Sequence, residues 1–266
     1  MTPLEVEPRV EIHPGRGPYL LMVHGMLSSR AQWRPNLEAL AGVARPVVIE
    51  LLGHGRSPSP DAPEPYRPDA YVRFFERLRE RLGVERWIAL GQSLGAALTL
   101  RYALDHPERV AAQLLTNSTS AFADTVWAEG IRPSMQRFAE SLAAGGRAAL
   151  EEMPLHPRNA RRIAPDVHAA LLADAELHDP AGVARTATDT VPHSPLAHRL
   201  GENRVPSLLL CGVREKRFEA PRRRAERDMP ALEVAEIDAG HAVNLQDVQG
   251  FNARATAFLA RHAAGV

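Results

Sequence analysis

The stretch Trp87–Leu104, WIALGQSLGAALTLRYAL, decides the fold. A short run of large apolar residues ends at Leu90, a glycine-rich turn follows, and an alanine-rich helical pattern begins at once. Within GQSLG (Gly91–Gly95), a glycine lies on each side of Ser93, two residues away. Small neighbours let the serine adopt a strained strand-to-helix conformation that presents its hydroxyl above a sheet. The segment therefore predicts a serine nucleophile at the carboxyl end of a buried strand.

Short apolar runs alternate with longer helical patterns along the rest of the chain. Strands are expected at Tyr19–Val23, Pro46–Glu50, Trp87–Leu90, Val110–Thr116, Ser207–Cys211 and Leu232–Ile237. Helices are expected at Ala31–Ala41, Tyr71–Leu82, Leu94–Leu104, Ala220–Arg227 and Gln246–Arg261. Most of these strands are too apolar to be exposed on one face, which indicates a mostly parallel sheet covered by helices on both faces. The predicted fold class is α/β.

The alternation stops between Ser120 and Arg199. Two helical patterns, SMQRFAESLAAGGRAALEEM and APDVHAALLADAELHD, follow one another there with no strand between them. We therefore expect residues 1–119 and 200–266 to form the core and residues 120–199 to form a helical cap, inserted after the strand that follows the nucleophile helix. The proline-rich stretch Ser57–Ala70 is predicted to be a rigid loop.

Composition excludes several classes of protein. The 266 residues carry a net charge of +0, so no general attraction to nucleic acid or to an anionic membrane is expected. The single cysteine, Cys211, excludes an intramolecular disulfide and is expected in a buried strand. No signal-peptide pattern and no apolar run near the ~20 residues that cross a bilayer is present. A cytoplasmic protein without nucleic-acid or membrane partners is the expectation.

The stretch LLMVHGMLSS indicates where an oxyanion would be bound. His24 and Gly25 end a strand and open a loop whose backbone can direct an N–H group at the reacting centre. We expect an oxyanion hole formed by the backbone N–H groups of Met26 and Leu94, because such donors stabilise charge that develops in a tetrahedral transition state. His24 precedes the serine and lies on this loop, so a structural role is predicted for it, as for the turn Gly53–Gly55.

The general base is expected late in the chain. In EIDAGHAVNLQD, His241 follows a strand and a short glycine turn and precedes the last helix. The histidines of the predicted cap lack this setting: His156, His168, His178, His193 and His198. The order of serine first and histidine last therefore predicts His241 as the base.

The motifs HGM, GHGRS, GQSLGA, GVREKRF and DAGHAVNL, in this order and at these intervals, resemble those of the α/β-hydrolase fold superfamily. The resemblance covers nearly the whole chain apart from the cap. The chain is most similar to serine hydrolases with a short helical cap, namely 3-oxoadipate enol-lactonase-like and MenH-like enzymes and carboxylesterases. This resemblance implies a Ser–His–acid triad, an acyl-enzyme intermediate, and no metal or organic cofactor.

The resemblance also assigns the acid. The family's aspartate follows a strand, often in the pattern G-x-x-D-x-[KR]-F, and GVREKRF has Glu215 at that position. A glutamate can orient the histidine as an aspartate does. Asp238 lies three residues before His241, too close to it on the same loop, while Glu219 and Asp228 belong to the next helix. Some relatives place the acid after the strand that follows the nucleophile helix, where this chain has Asn117.

The predicted substrate is a small carboxylic ester or lactone. Ser93 argues against the epoxide hydrolases and haloalkane dehalogenases of this fold, which have aspartate at that position. MenH-like enzymes resemble G-Y-S-L-G-G-R, whereas Gln92 and Ala97 replace the tyrosine and arginine here. Gln92, Trp127 and Met135 are the candidates for substrate contact, although core packing explains the last two equally well. A cap arginine could also reach a substrate carboxylate.

Two alternatives remain open at this point. The first is hydrolysis of a C–C bond in a ring-fission product, which uses the same triad and differs in the cap. The second is a receptor-like or non-catalytic protein that binds a small molecule on the same fold. Turnover, as opposed to tight single-event binding, distinguishes the second alternative from both enzymes.

Overall fold

The sheet follows the predicted architecture. The computed structural model describes residues 6–263. The strands are β1 (Arg9–Ile12), β2 (Tyr19–Val23), β3 (Arg45–Glu50), β4 (Trp87–Gly91), β5 (Val110–Thr116), β6 (Ser207–Gly212) and β7 (Leu232–Ile237). Their order is β1-β3-β2-β4-β5-β6-β7, with β1 antiparallel to β3 and every other neighbouring pair parallel. The predicted α/β class and mostly parallel sheet are confirmed.

Helices cover both faces of this sheet. They are α1 (Arg34–Ala41), α2 (Pro68–Arg81), α3 (Leu94–Asp105), α4 (Thr125–Glu151), α5 (Pro165–Ala175), α6 (Pro180–Arg185), α7 (Glu219–Asp228), α8 (Val243–Gln246) and α9 (Val248–His262). Alternate residues of β2 enter different cores, because successive side chains of a strand point to opposite faces. Leu21 packs in a cluster with residues of α2 and α3. Leu20 packs in a second cluster with residues of α1 and α9.

Several local features differ from the sequence-based expectation. Strand β1 was not predicted, because its four residues, RVEI, are half charged and it lies at the edge of the sheet, where it pairs only with β3. Helix α4 begins at Thr125, where the Asp124 side chain accepts a hydrogen bond from the N–H of Trp127, and its backbone breaks at Gly146. The proline-rich stretch is not all loop, since α2 begins inside it with proline at the first helical position.

The region between β5 and β6 contains helices α4, α5 and α6 and several short helical turns, without a strand. We keep the name cap for residues 120–199, and the division of the chain into core and cap stays a prediction. No helix within residues 6–263 combines the length and the apolar character needed to cross a bilayer.

Candidate active site

The turn between β4 and α3 holds Ser93 in a strained conformation. Its φ is 53° and its ψ is −116°, in a region that non-glycine residues rarely adopt. Glycine is needed on both sides of the serine, because the surrounding backbone leaves no room for a side chain there. A Cβ atom at Gly95 would lie 2.1 Å from the carbonyl oxygen of Val23, and one at Gly91 would lie 2.4 Å from the Cα atom of Ala96. The hydroxyl therefore stands beside the positive end of α3.

Ser93, His241 and Glu215 meet at the carboxyl ends of three parallel strands. His241 follows β7, and its Nε2 atom lies 3.0 Å from Ser93 Oγ. Glu215 follows β6, and both of its carboxylate oxygens lie 3.0 Å from His241 Nδ1. These distances allow the serine hydroxyl to donate to one ring nitrogen while the carboxylate accepts from the other. The arrangement can activate a hydroxyl for attack on a carbonyl carbon.

Asn117, directly after β5, is a second hydrogen-bond partner of the Glu215 carboxylate. Its Nδ2 atom donates to Glu215 Oε2 at 2.8 Å and to the carbonyl of Gly212 at 3.0 Å. Its Oδ1 atom accepts from the N–H of Gly212 at 2.9 Å. Burial alone would raise the pKa of Glu215, but the hydrogen bonds from His241 and Asn117 outweigh it and place the pKa below its ordinary value.

Sequence reasoning considered Asn117 only as a missing carboxylate. The adjacency of β5 and β6 could have revealed that Asn117 lies beside Glu215, since neighbouring parallel strands bring their carboxyl ends together.

The other carboxylates considered for the acid are engaged elsewhere. Asp238 forms an exposed ion pair with Arg214 on the outside of the loop. Glu219 pairs with Arg223 one turn along α7. Asp228 pairs with its neighbour Arg227 at 2.7 Å.

The two expected oxyanion donors flank the serine. Leu94 is the first residue of α3, where an N–H group has no intrahelical acceptor. Met26 follows Gly25, and within residues 6–263 its N–H group donates no backbone hydrogen bond in the turns and loops. A Cβ atom at Gly25 would lie 2.9 Å from Ser93 Cβ, so this loop approaches the serine as closely as a glycine permits. Both N–H groups can therefore face a substrate oxygen next to Ser93.

The three candidates for substrate contact occupy different positions. Gln92 is buried, and its Nε2 donates to the carbonyl oxygen of His241 at 3.4 Å, which ties the serine turn to the histidine loop. Trp127 and Met135 lie on α4, are half-buried, and pack with Met26 against the core cluster that contains Leu94. Both add apolar surface to this side of the cap, and a substrate contact for them stays a prediction.

Three of the cap arginines have polar partners of their own. Arg158 pairs with Glu152 at 2.9 Å on the outside of the cap. Arg132 lies 3.3 Å from the ring of His193. Arg162 donates to the carbonyl oxygen of Asp238 at 3.4 Å. These three guanidinium groups therefore already have polar contacts within the protein.

Comparison with known proteins gives one consistent result. A family model described as the alpha/beta hydrolase fold matches residues 18–156. The chain is 26% identical over 249 residues to the carboxylesterase YbfK of Bacillus subtilis (strain 168), covering 92% of this chain and 81% of that protein. The structure of MenH from S. aureus superimposes with a TM-score of 0.83 at 19% identity, covering 95% of this chain and 98% of that one. The enol-lactonase from Burkholderia xenovorans LB400 superimposes with a TM-score of 0.79 at 20% identity, covering 95% and 96%.

Proposed function

The chain belongs to the α/β-hydrolase fold family and is a hydrolase of the ester or lactone type, and on that premise we propose that it cleaves a small carboxylic ester or lactone through an acyl-enzyme intermediate. Ser93 is the nucleophile, His241 the general base and Glu215 the acid of the triad. The observation that carries the proposal is the continuous hydrogen-bond chain from Ser93 Oγ through the imidazole to the Glu215 carboxylate, with 3.0 Å at each step.

The reaction follows from this chain of contacts. Ser93 Oγ attacks the carbonyl carbon while His241 Nε2 takes its proton, and Glu215 stabilises the imidazolium that forms. The carbonyl oxygen becomes an oxyanion held by the N–H groups of Met26 and Leu94. Collapse of the tetrahedral intermediate expels the alcohol, which takes the proton from His241. Water then attacks the acyl-enzyme by the same route and releases the acid and the free serine.

An uncharged acyl group is the substrate feature that the surroundings support. Met26, Trp127 and Met135 are apolar, half-buried and packed on one core cluster, and in this proposal they form an apolar wall against which a short alkyl or aryl chain lies. Two of the cap arginines, Arg132 and Arg158, have polar partners within the cap. We therefore expect neutral esters to be cleaved faster than esters of dicarboxylic acids.

The test is hydrolysis of p-nitrophenyl acetate and butyrate by the wild type and three variants. Ser93→Ala is expected to abolish turnover, and Glu215→Ala to lower kcat by about 10⁴-fold, as the loss of a triad acid can. Glu219→Ala is the matched control, because Glu219 is an exposed glutamate four residues away that pairs with Arg223. It should leave kcat unchanged.

Other results would decide against parts of the proposal. If Glu215→Ala and Glu219→Ala behave alike, Glu215 is not the acid. If the wild type binds esters or lactones without turnover, the protein is of the receptor-like class. Turnover of ring-fission products with no esterase activity would favour the C–C hydrolase instead.

A further inference from the structure

Three buried histidines pack against one another behind the loop that carries Met26. The ring centroids of His24 and His54 are 5.5 Å apart, and those of His54 and His178 are 5.1 Å apart. All three side chains are almost completely buried, with exposed fractions of 0%, 0% and 2%. The first two belong to the core, whereas His178 lies between α5 and α6 in the cap. The proposed reaction uses none of them.

The hydrogen bonds of the core pair fix each ring in one neutral form. His24 Nε2 accepts from the N–H of Leu51 at 3.0 Å, so its proton is on Nδ1, which lies 2.7 Å from the carbonyl of Gly25. His54 Nε2 accepts from the N–H of Leu27 at 3.1 Å, and its Nδ1–H donates to the carbonyl of Leu52 at 2.9 Å. Burial is the main reason why the pKa of His24 is lowered to about 3 and that of His54 to about 4.

Leu27 is the point at which this cluster meets the oxyanion loop. It follows Met26 directly and adopts a φ of 58°, which a leucine rarely does. Such a conformation persists only when the surroundings hold it. The hydrogen bond from Leu27 N–H to His54 supplies one such restraint, and it lies one residue from the Met26 N–H that is proposed to bind the oxyanion.

The cap holds His54 in turn, through three contacts with the turn Gly53–Gly55. His178 Nδ1 accepts from the N–H of Gly55 at 2.9 Å. The N–H of Asp179 donates to the carbonyl of Gly53 at 3.0 Å. Gly182 packs so closely on the same turn that a Cβ atom at Gly53 would lie 2.5 Å from its carbonyl carbon.

His178 also approaches the oxyanion loop itself. Its Nε2 atom is buried and has no hydrogen-bond partner among residues 6–263, and an interaction with the backbone of Leu27 acts to raise the pKa of the ring. Burial and the neighbouring histidines have the larger effect and lower that pKa to about 2, so the ring is neutral. Because Nδ1 accepts from Gly55, the proton of the neutral ring is on Nε2.

We infer that His178 is a positioning residue for the oxyanion hole: through Gly55, His54 and Leu27 it fixes the direction of the Met26 N–H group. The cap segment would thereby contribute to catalysis from behind the oxyanion loop as well as to substrate binding. This inference rests on the proposed function, because it needs a reaction that passes through an oxyanion.

The experiment compares substrate turnover with binding of a transition-state mimic in three variants of the full chain. His178→Leu removes the acceptor for the Gly55 N–H, whereas His178→Asn retains one at the distance of Nδ1. His156→Leu is the control, because His156 is also a buried cap histidine but accepts from the N–H of Arg158 within the cap. The readouts are kcat and KM for p-nitrophenyl butyrate and the inhibition constant of an alkyl trifluoromethyl ketone, whose adduct with a serine carries an oxyanion.

We expect His178→Leu to lower kcat by at least about tenfold, since complete loss of one oxyanion donor costs about 10²–10³-fold. The inhibition constant should rise by the same factor while KM changes less than threefold. His178→Asn and His156→Leu should stay within threefold of the wild type in all three quantities. Equal losses in His178→Leu and His156→Leu, or a loss of kcat without weaker ketone binding, would overturn the inference.

Two further results keep the test decisive. If His178→Leu does not fold, His178→Gln is compared with His178→Asn, because glutamine places its amide near the position of Nε2 and not of Nδ1. Equal ketone binding by these two variants would contradict the inference. If the wild type neither hydrolyses esters nor binds the ketone, the proposed function itself fails. Normal wild-type turnover with an unaffected His178→Leu variant refutes only the role of His178.

Discussion

The neutral histidines behind the oxyanion loop should make the protein sensitive to mild acid. A histidine in an unfolded chain has a pKa of about 6.5. In the folded protein the pKa of His54 is lowered to about 4 and that of His24 to about 3, mainly by burial. Between these values the unfolded state binds more protons than the folded state. The free energy of unfolding therefore falls as the pH drops below about 6.5, until the folded pKa is reached.

The size of the effect follows from these values. At pH 5.0, each histidine of the unfolded chain is protonated and each buried one is still neutral. Because pH 5.0 is about 1.5 units below the unfolded pKa, each ring lowers the free energy of unfolding by about 2 kcal/mol. With His178, whose pKa is lowered to about 2, the three rings remove about 6 kcal/mol between pH 7.5 and 5.0. Domains have a total of about 5–15 kcal/mol. Glu50 opposes the trend, because burial raises the pKa of this carboxyl and its folded form takes up a proton more readily.

Urea unfolding followed by tryptophan fluorescence at pH 7.5, 6.5, 5.5 and 5.0 measures this dependence, since Trp33 and Trp87 are fully buried. His54→Asn removes one of the three titrations. The difference in unfolding free energy between pH 7.5 and 5.0 should then shrink from about 6 to about 4 kcal/mol, whatever the variant loses at neutral pH. An unfolding free energy that is flat over this range, or the same slope in both proteins, would refute the reasoning.

Three further outcomes are expected. Asn117→Ala should lower kcat by about tenfold with little change in KM, because Glu215 loses the 2.8 Å hydrogen bond that fixes it; wild-type kcat would contradict this. Gly95→Ala should yield no folded protein in a thermal melt, because its Cβ atom would lie 2.1 Å from a backbone carbonyl of β2; a normal melting temperature would show that the turn can relax. Trp127→Ala should raise KM for p-nitrophenyl butyrate more than for the acetate, with kcat little changed; equal KM changes would show that Trp127 does not contact the acyl chain.

The core elements could be predicted from the sequence because each has a local cause. The serine turn needs glycine at fixed positions, and the buried strands need continuous apolar runs. Strand β1 was missed because it is defined by pairing with β3, which is distant in the sequence, and its four residues carry no clear strand pattern. Helix α4 was predicted to start later than Thr125, because Pro133 looks like a boundary but lies inside the helix.

At the site, a residue could be predicted where a local pattern or the chain order marks it, and not where its role depends on a partner far away in the sequence. Ser93 and His241 follow from turn geometry and chain order, and the resemblance to a known family assigned Glu215. Asn117 and His178 act through contacts with residues 98 and 123 positions away, respectively. No local pattern marks such a role, so an asparagine after a strand and a histidine among several in a cap gave no signal.

The close packing of Gly182 on Gly53 has a consequence for engineering this protein. Exchanging the cap for that of a relative is an obvious route to a new substrate range, but the graft would carry its own residues at the junction. Unless it supplies a glycine against Gly53 and an acceptor for the N–H of Gly55, the chimaera would retain Ser93 and lose the support behind Met26. A useful exchange would leave residues 178–182 in place and vary α4 alone.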